Sequence, residues 1–70
     1  MNNKEITLAL ELANDALNRN RWTKLHVDSF EVRLEIGPIK SDGTREYKSA
    51  TYRFYSDANG IAHYVTYAHP

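Results

Sequence analysis

Along the first third of the chain, Ile6, Ala9, Leu10, Ala13, Ala16 and Leu17 recur at the three-and-four spacing of one helical face. That stripe is expected to face a core, and its alanines allow a close approach to a sheet. Asn2 and Glu5 have the spacing of a capping box. The polar, basic run from Asn18 to Arg21 suits the far end of a helix dipole. Together these signals predict a helix over about residues 3–19. Leu8 and Leu12 fall outside the stripe, at roughly 200° and 240° from Ile6 on a wheel of 100° per residue. They read as surface or flanking leucines, available for a small dimer contact. Trp22, directly after the helix, is expected to plug the open end of the core with its N–H at the rim.

From Phe30 to Ile36 the period changes to two. Phe30, Val32, Leu34 and Ile36 fall on one side, and Glu31, Arg33 and Glu35 on the other, the mark of a strand buried on one face. Lys40-Ser41-Asp42-Gly43 has the composition of a type I turn closed by a left-handed glycine, with Lys40 opposite Thr44. Carried deeper, that register pairs Leu34 with Ala50, Val32 with Tyr52 and Phe30 with Phe54. A bulge at Gly37-Pro38 would shift the count at the tip. Asn59-Gly60 is a type I′ hairpin signal that places Phe54 opposite Val65 and Tyr52 opposite Tyr67. A three-residue turn, Ala58-Asn59-Gly60, competes with it and would slide the last strand by one, turning Val65 and Tyr67 outward. The two-residue turn is preferred because it keeps apolar opposite apolar.

The expected fold is α+β: a single two-layer domain over residues 1–70, with one N-terminal helix on one face of a three-stranded antiparallel meander. The strands are placed at about 26–37, 44–57 and 61–68. Ala50, Tyr52 and Phe54 then point to the helix. Thr51, Arg53 and Tyr55 point away, joined by Glu31, Arg33, Glu35 and Tyr64 on a face that nothing else in the sequence covers. Such a face is ordinarily solvated. Its arginines and tyrosines are also the residue types enriched at binding hot spots, so these seven positions are the candidate partner-binding set. Arg19, Arg21 and Lys24, with Leu8 and Leu12, form a secondary candidate set. The unpaired outer strands are able to accept a further strand.

Charge narrows the choice. Nine basic residues balance nine acidic ones, so no bulk field draws the chain to nucleic acid or to an anionic membrane. A small nucleic-acid binder using the Arg/Tyr face is therefore the second reading. With no cysteine there is no disulfide framework and no thiolate chemistry. The N-terminal stretch is interrupted by Glu5 and Glu11, lacks a signal-peptide core, and nothing resembles a membrane span, which makes the cytoplasm the expected location. His26, His63 and His69 lack metal-ligand spacing, and no nucleophile triad, phosphate loop or paired acid is legible. No catalytic residue, cofactor or metal is expected.

In size, absence of cysteine and helix-plus-meander plan the chain resembles the small proteins that phages and other mobile elements use to block host machinery, anti-CRISPR proteins among them, while ANDALNRNRW and YRFYSDANGIAHY match no diagnostic motif. The resemblance is architectural, and no family residue is carried over. It implies non-catalytic inhibition through occupation of a larger protein's surface, such as a nucleoprotein effector of bacterial defence, by a monomer or weak homodimer in the host cytoplasm. The balanced charge departs from the strongly acidic character of a bulk DNA mimic.

Overall fold

The computed structural model describes residues 3–68. Helix α1 (Asn3–Asn18) is followed by strands β1 (Arg21–Val27), β2 (Val32–Pro38), β3 (Ala50–Ser56) and β4 (Ala62–Ala68). The strands form one antiparallel sheet in the order β1-β2-β3-β4, and α1 packs across one side of it. The α+β class is as expected, but the sheet has four strands rather than three. No helix among the described residues is long and apolar enough to cross a membrane.

The helix presents Ile6, Ala9, Ala13 and Ala16 of the expected stripe to the core, but not Leu10 and Leu17. Ala9, Ala13 and Ala16 are buried against Val32, Leu34, Ile36 and Phe54, while Ile6, Leu8, Leu12 and Tyr52 pack around that centre. Leu10 and Leu17 remain 52% and 58% exposed. Small side chains occupy the closest approach of helix to sheet, because only they let the backbones come near enough for dense packing. Leu8 and Leu12 flank that contact, which agrees with the flanking reading of Leu12 and corrects the surface reading of Leu8. Asn2 lies outside the described residues. The Glu5 carboxylate is buried and accepts a 2.7 Å hydrogen bond from Ser56 Oγ, tying the first helical turn to the end of β3. At the other end Asn20 has φ 59°, the left-handed conformation that asparagine tolerates better than most residues. The chain reverses there and enters β1 at once.

The missed strand is β1. Its alternation is real, with Thr23, Leu25 and Val27 opposite Ile36, Leu34 and Val32 on the helix side. The stretch assigned as one strand over 26–37 is in fact two strands joined by a reversal. Asp28 makes that reversal: its Oδ1 accepts from the amides of Phe30 at 2.7 Å and Glu31 at 2.9 Å. Phe30, assigned to the core, is 92% exposed in this turn.

The β2–β3 connection splits the expected register in two. At the tip it holds: Lys40 N donates to Thr44 O at 2.7 Å, Gly43 has φ 87°, and Ile39 bridges Arg45. Deeper, Leu34 faces Tyr52, Val32 faces Phe54 and Ile36 faces Ala50, a slide of two residues absorbed by Tyr47, Lys48 and Ser49 on the returning arm. An even slide leaves every side chain on its expected face, so the core composition survives.

The β3–β4 turn is the three-residue one. Asp57 N donates to Ile61 O at 2.9 Å, Gly60 N donates to Asp57 O at 3.0 Å, and Gly60 has φ 77°. Phe54 therefore faces Tyr64 and Arg53 faces Val65. Asp57 decides the matter, since its Oδ1 accepts from both Asn59 N at 2.8 Å and Ile61 N at 3.0 Å, an Asx-type arrangement that a two-residue Asn-Gly turn would not supply. The odd slide exchanges the faces of β4: Val65 and Tyr67 join the open side, and Tyr64 joins the helix side.

Candidate functional site

The side of the sheet away from the helix is built by alternation in all four strands. Across it run Trp22, Lys24 and His26 of β1, then Arg33, Glu35 and Gly37 of β2, then Thr51, Arg53 and Tyr55 of β3, then His63, Val65 and Tyr67 of β4. Its centre is a shallow depression of about 430 Å³ lined by Glu31, Arg33, Glu35, Thr51, Arg53 and Tyr67. Five of these six belong to the expected partner-binding set.

Arg33 and Arg53 stand directly opposite each other on β2 and β3, where like charges repel. Glu31, entering from the Asp28 turn, bridges them: its Oε1 lies 2.7 Å from Arg33 Nε and its Oε2 3.0 Å from Arg53 Nη2. Only the second contact is aligned as a hydrogen bond. The Glu31–Arg53 pair is made diagonally, since Arg53 stands opposite Arg33 in the ladder. Beside it, Glu35 Oε2 lies 2.8 Å from His26 Nε2. The hydrogen bond from His26 holds the Glu35 carboxyl below the usual carboxylate range, opposed by partial desolvation and reinforced by the charges of His26, Lys24 and Arg33. The centre of the face is thus nearly charge-compensated. Thr51 sits among these groups and is 7% exposed.

Aromatic groups frame the depression. Tyr55 stacks on His63, with centroids 5.4 Å apart and planes 24° from parallel, and His63 Nε2 reaches Asp57 Oδ2 at 2.7 Å. At the opposite end Trp22 lies across Gly37. A Cβ on Gly37 would stand 2.4 Å from the indole, so the ring rests directly on the backbone where β2 offers no side chain. Its Nε1 donates to Glu46 O at 2.7 Å and the Arg45 guanidinium sits 5.6 Å from the ring. Trp22 is therefore part of the open face and does not plug the core.

Tyr64 is the one member of the expected set that leaves the face: it packs on the helix side, its ring 5.4 Å from that of Tyr52 and 5.9 Å from that of Phe54. The secondary set disperses. Arg19 pairs with Asp15 at 3.3 Å on the helix, Arg21 lies on the helix side opposite Pro38 while Lys24 lies on the open face opposite Glu35, and Leu8 and Leu12 pack against the core. Trp22, His26, His63, Val65 and Tyr67 are the face residues that sequence reasoning missed. The alternation of Trp22, Lys24 and His26 against Thr23, Leu25 and Val27 was the signal for β1, and Asp57 was the signal for β4. Comparison with protein-family models, with curated proteins and with solved structures finds no match.

Proposed function

We propose that this chain is a non-catalytic binding protein whose open sheet face engages a protein partner. The observation that carries the reading is the bridging of Arg33 and Arg53 by Glu31 in the central depression. Arginines matched by acids and framed by Tyr55, Tyr67 and Trp22 suit a mixed polar and apolar protein surface, where aromatic and arginine side chains supply the anchors. A phosphate backbone favours basic groups without acidic neighbours. The narrower assignment is a phage-encoded inhibitor acting in the host cytoplasm on a bacterial defence complex of the CRISPR–Cas type. It rests on size and plan, and the four-stranded sheet retains the helix-plus-meander order on which the resemblance was drawn.

The test is affinity capture from nuclease-treated bacterial lysate by the wild-type chain and by the double variant Arg53→Glu/Tyr55→Ala. Wild type is expected to retain a protein that the variant loses by at least about tenfold, while both keep the same urea midpoint, since exposed pairs contribute only about 0–1 kcal/mol. Equal retention by the variant removes the sheet face from the reading. A second reading, single-stranded nucleic-acid binding, draws on Trp22 and Arg45 beside Lys24. It requires capture that nuclease abolishes and a steep loss of affinity with salt.

A further inference from the structure

The two outer strands of the sheet are not equally protected. β1 carries Arg21 and Lys24 among its seven residues, and α1 packs closely on it. β4, AHYVTYA, has neither lysine, arginine, acid nor proline, the usual devices that keep an edge from accepting another strand. It leaves Val65 and Tyr67 43% and 48% exposed on one side and Tyr64 43% exposed on the other.

The ladder geometry states which main-chain groups are open. Asp57 N donates to Ile61 O, and these residues continue the β3–β4 register. By the alternation of an antiparallel ladder, His63, Val65 and Tyr67 turn their amides and carbonyls toward β3. Ala62, Tyr64 and Thr66 turn theirs to the outer edge.

The sequence of this edge, AHYVTYA, can be set antiparallel against a copy of itself about its central residue, Val65. A two-fold axis there sets Val65 against its own copy, Tyr64 against Thr66 of the copy, and His63 against Tyr67 of the copy. Side chains stay on their own faces, an aromatic pairs with an imidazole as Tyr55 and His63 already do, and no like charges meet. The outward groups of Tyr64 and Thr66 fall in the hydrogen-bonded positions and Val65 in the non-bonded position between them, as an antiparallel pair requires. The equivalent axis through the middle of β1 would set Lys24 against Lys24.

We propose that β4 is a self-pairing edge through which two copies of this chain join antiparallel about Val65, making one continuous eight-stranded sheet. Both helices then lie on one side, and the two open faces become a single surface on the other. The partner-binding face and the dimer edge adjoin along His63, Val65 and Tyr67, but the capture variant changes only Arg53 and Tyr55 on β3, so the two tests are separable.

The experiment uses the absence of cysteine in the natural chain. In the non-bonded pair the two Val65 Cα atoms would stand about 4.5 Å apart, within disulfide reach. Val65→Cys is therefore expected to form a covalent dimer under mild oxidation at least about tenfold faster than His63→Cys, whose partner in this register is Tyr67. Sedimentation of the unmodified chain is expected to shift from monomer to dimer with concentration. Thr66→Pro, which removes an outward amide without touching the β3–β4 ladder, is expected to stay folded by circular dichroism and remain monomeric. Equal cross-linking at positions 63 and 65, monomer at every concentration, or a folded Thr66→Pro variant that still dimerises would each overturn the proposal. The Arg53→Glu/Tyr55→Ala variant is expected to dimerise as wild type does, which separates this result from that of partner capture.

Discussion

The two faces of the sheet arise from the same alternating strands but are held by different physics. On the helix side, Val32, Leu34 and Ile36 meet Ala9, Ala13 and Ala16 in a dry contact, where stability comes from apolar area removed from water and from close packing. On the open side, Glu31, Arg33, Arg53, His26 and Glu35 compensate one another at the surface, where each pair contributes little. One face makes the fold and the other is free to be read. A small domain with a thin core concentrates its stability in few side chains, so the contrast should be large when measured.

Leu34 has no exposed surface and sits in the middle of β2. Leu34→Ala is expected to cost about 2–5 kcal/mol through lost transfer energy and the remaining cavity, enough to bring much of the population of so small a domain to the unfolded state. A urea denaturation midpoint reads this directly. A loss under about 1 kcal/mol would place the stabilising contact elsewhere.

The open face has one position where packing, and not charge, is expected to dominate. A Cβ at Gly37 would stand 2.4 Å from the Trp22 ring and 2.5 Å from the Lys48 carbonyl oxygen. Gly37→Ala must therefore displace the indole or the Tyr47–Ser49 arm, at about 1–3 kcal/mol by the usual cost of overpacking. Since Trp22 is the only tryptophan, its emission should shift to longer wavelength as the ring leaves its shelf. An unchanged spectrum and midpoint would show that the face yields without resistance.

The smallest effect concerns pH. Each hairpin turn is organised by an aspartate. The Asp28 carboxyl is held low by the amides of Phe30 and Glu31, that of Asp42 by the hydroxyl and amide of Thr44, and that of Asp57 by the His63 ring with the amides of Ile61 and Asn59. Glu35 is held low chiefly by the hydrogen bond from His26. Because the folded values lie below the unfolded ones, about 4 for carboxylates, the stability these groups add is complete above about pH 5 and is lost as pH falls through the folded values. Urea midpoints should decline below about pH 4, and the decline should be shallower in the triple variant Asp28→Asn/Asp42→Asn/Asp57→Asn. A wild-type profile flat to about pH 2 would remove these acids from the account of the fold.

The sequence by itself determined the helix, the one-sided alternation of Val32, Leu34 and Ile36, the inward set of Tyr52 and Phe54, and the Lys40–Gly43 turn, because period and turn composition are local properties. It also placed Glu31, Arg33, Glu35, Thr51, Arg53 and Tyr55 on one open surface, since parity survives a slide of two residues in register. Only the tertiary structure decided what depended on side chains reaching back to the backbone. The Asp28 carboxylate broke one apparent strand into two by capturing the amides of Phe30 and Glu31. Asp57 chose the longer turn and so moved Tyr64 to the helix and Val65 and Tyr67 to the open face. The choice between neighbouring leucines and alanines on α1 was likewise settled by how close a helix must come to a sheet. Each of these outcomes turns on hydrogen bonds or packing distances that alternation in a sequence does not carry.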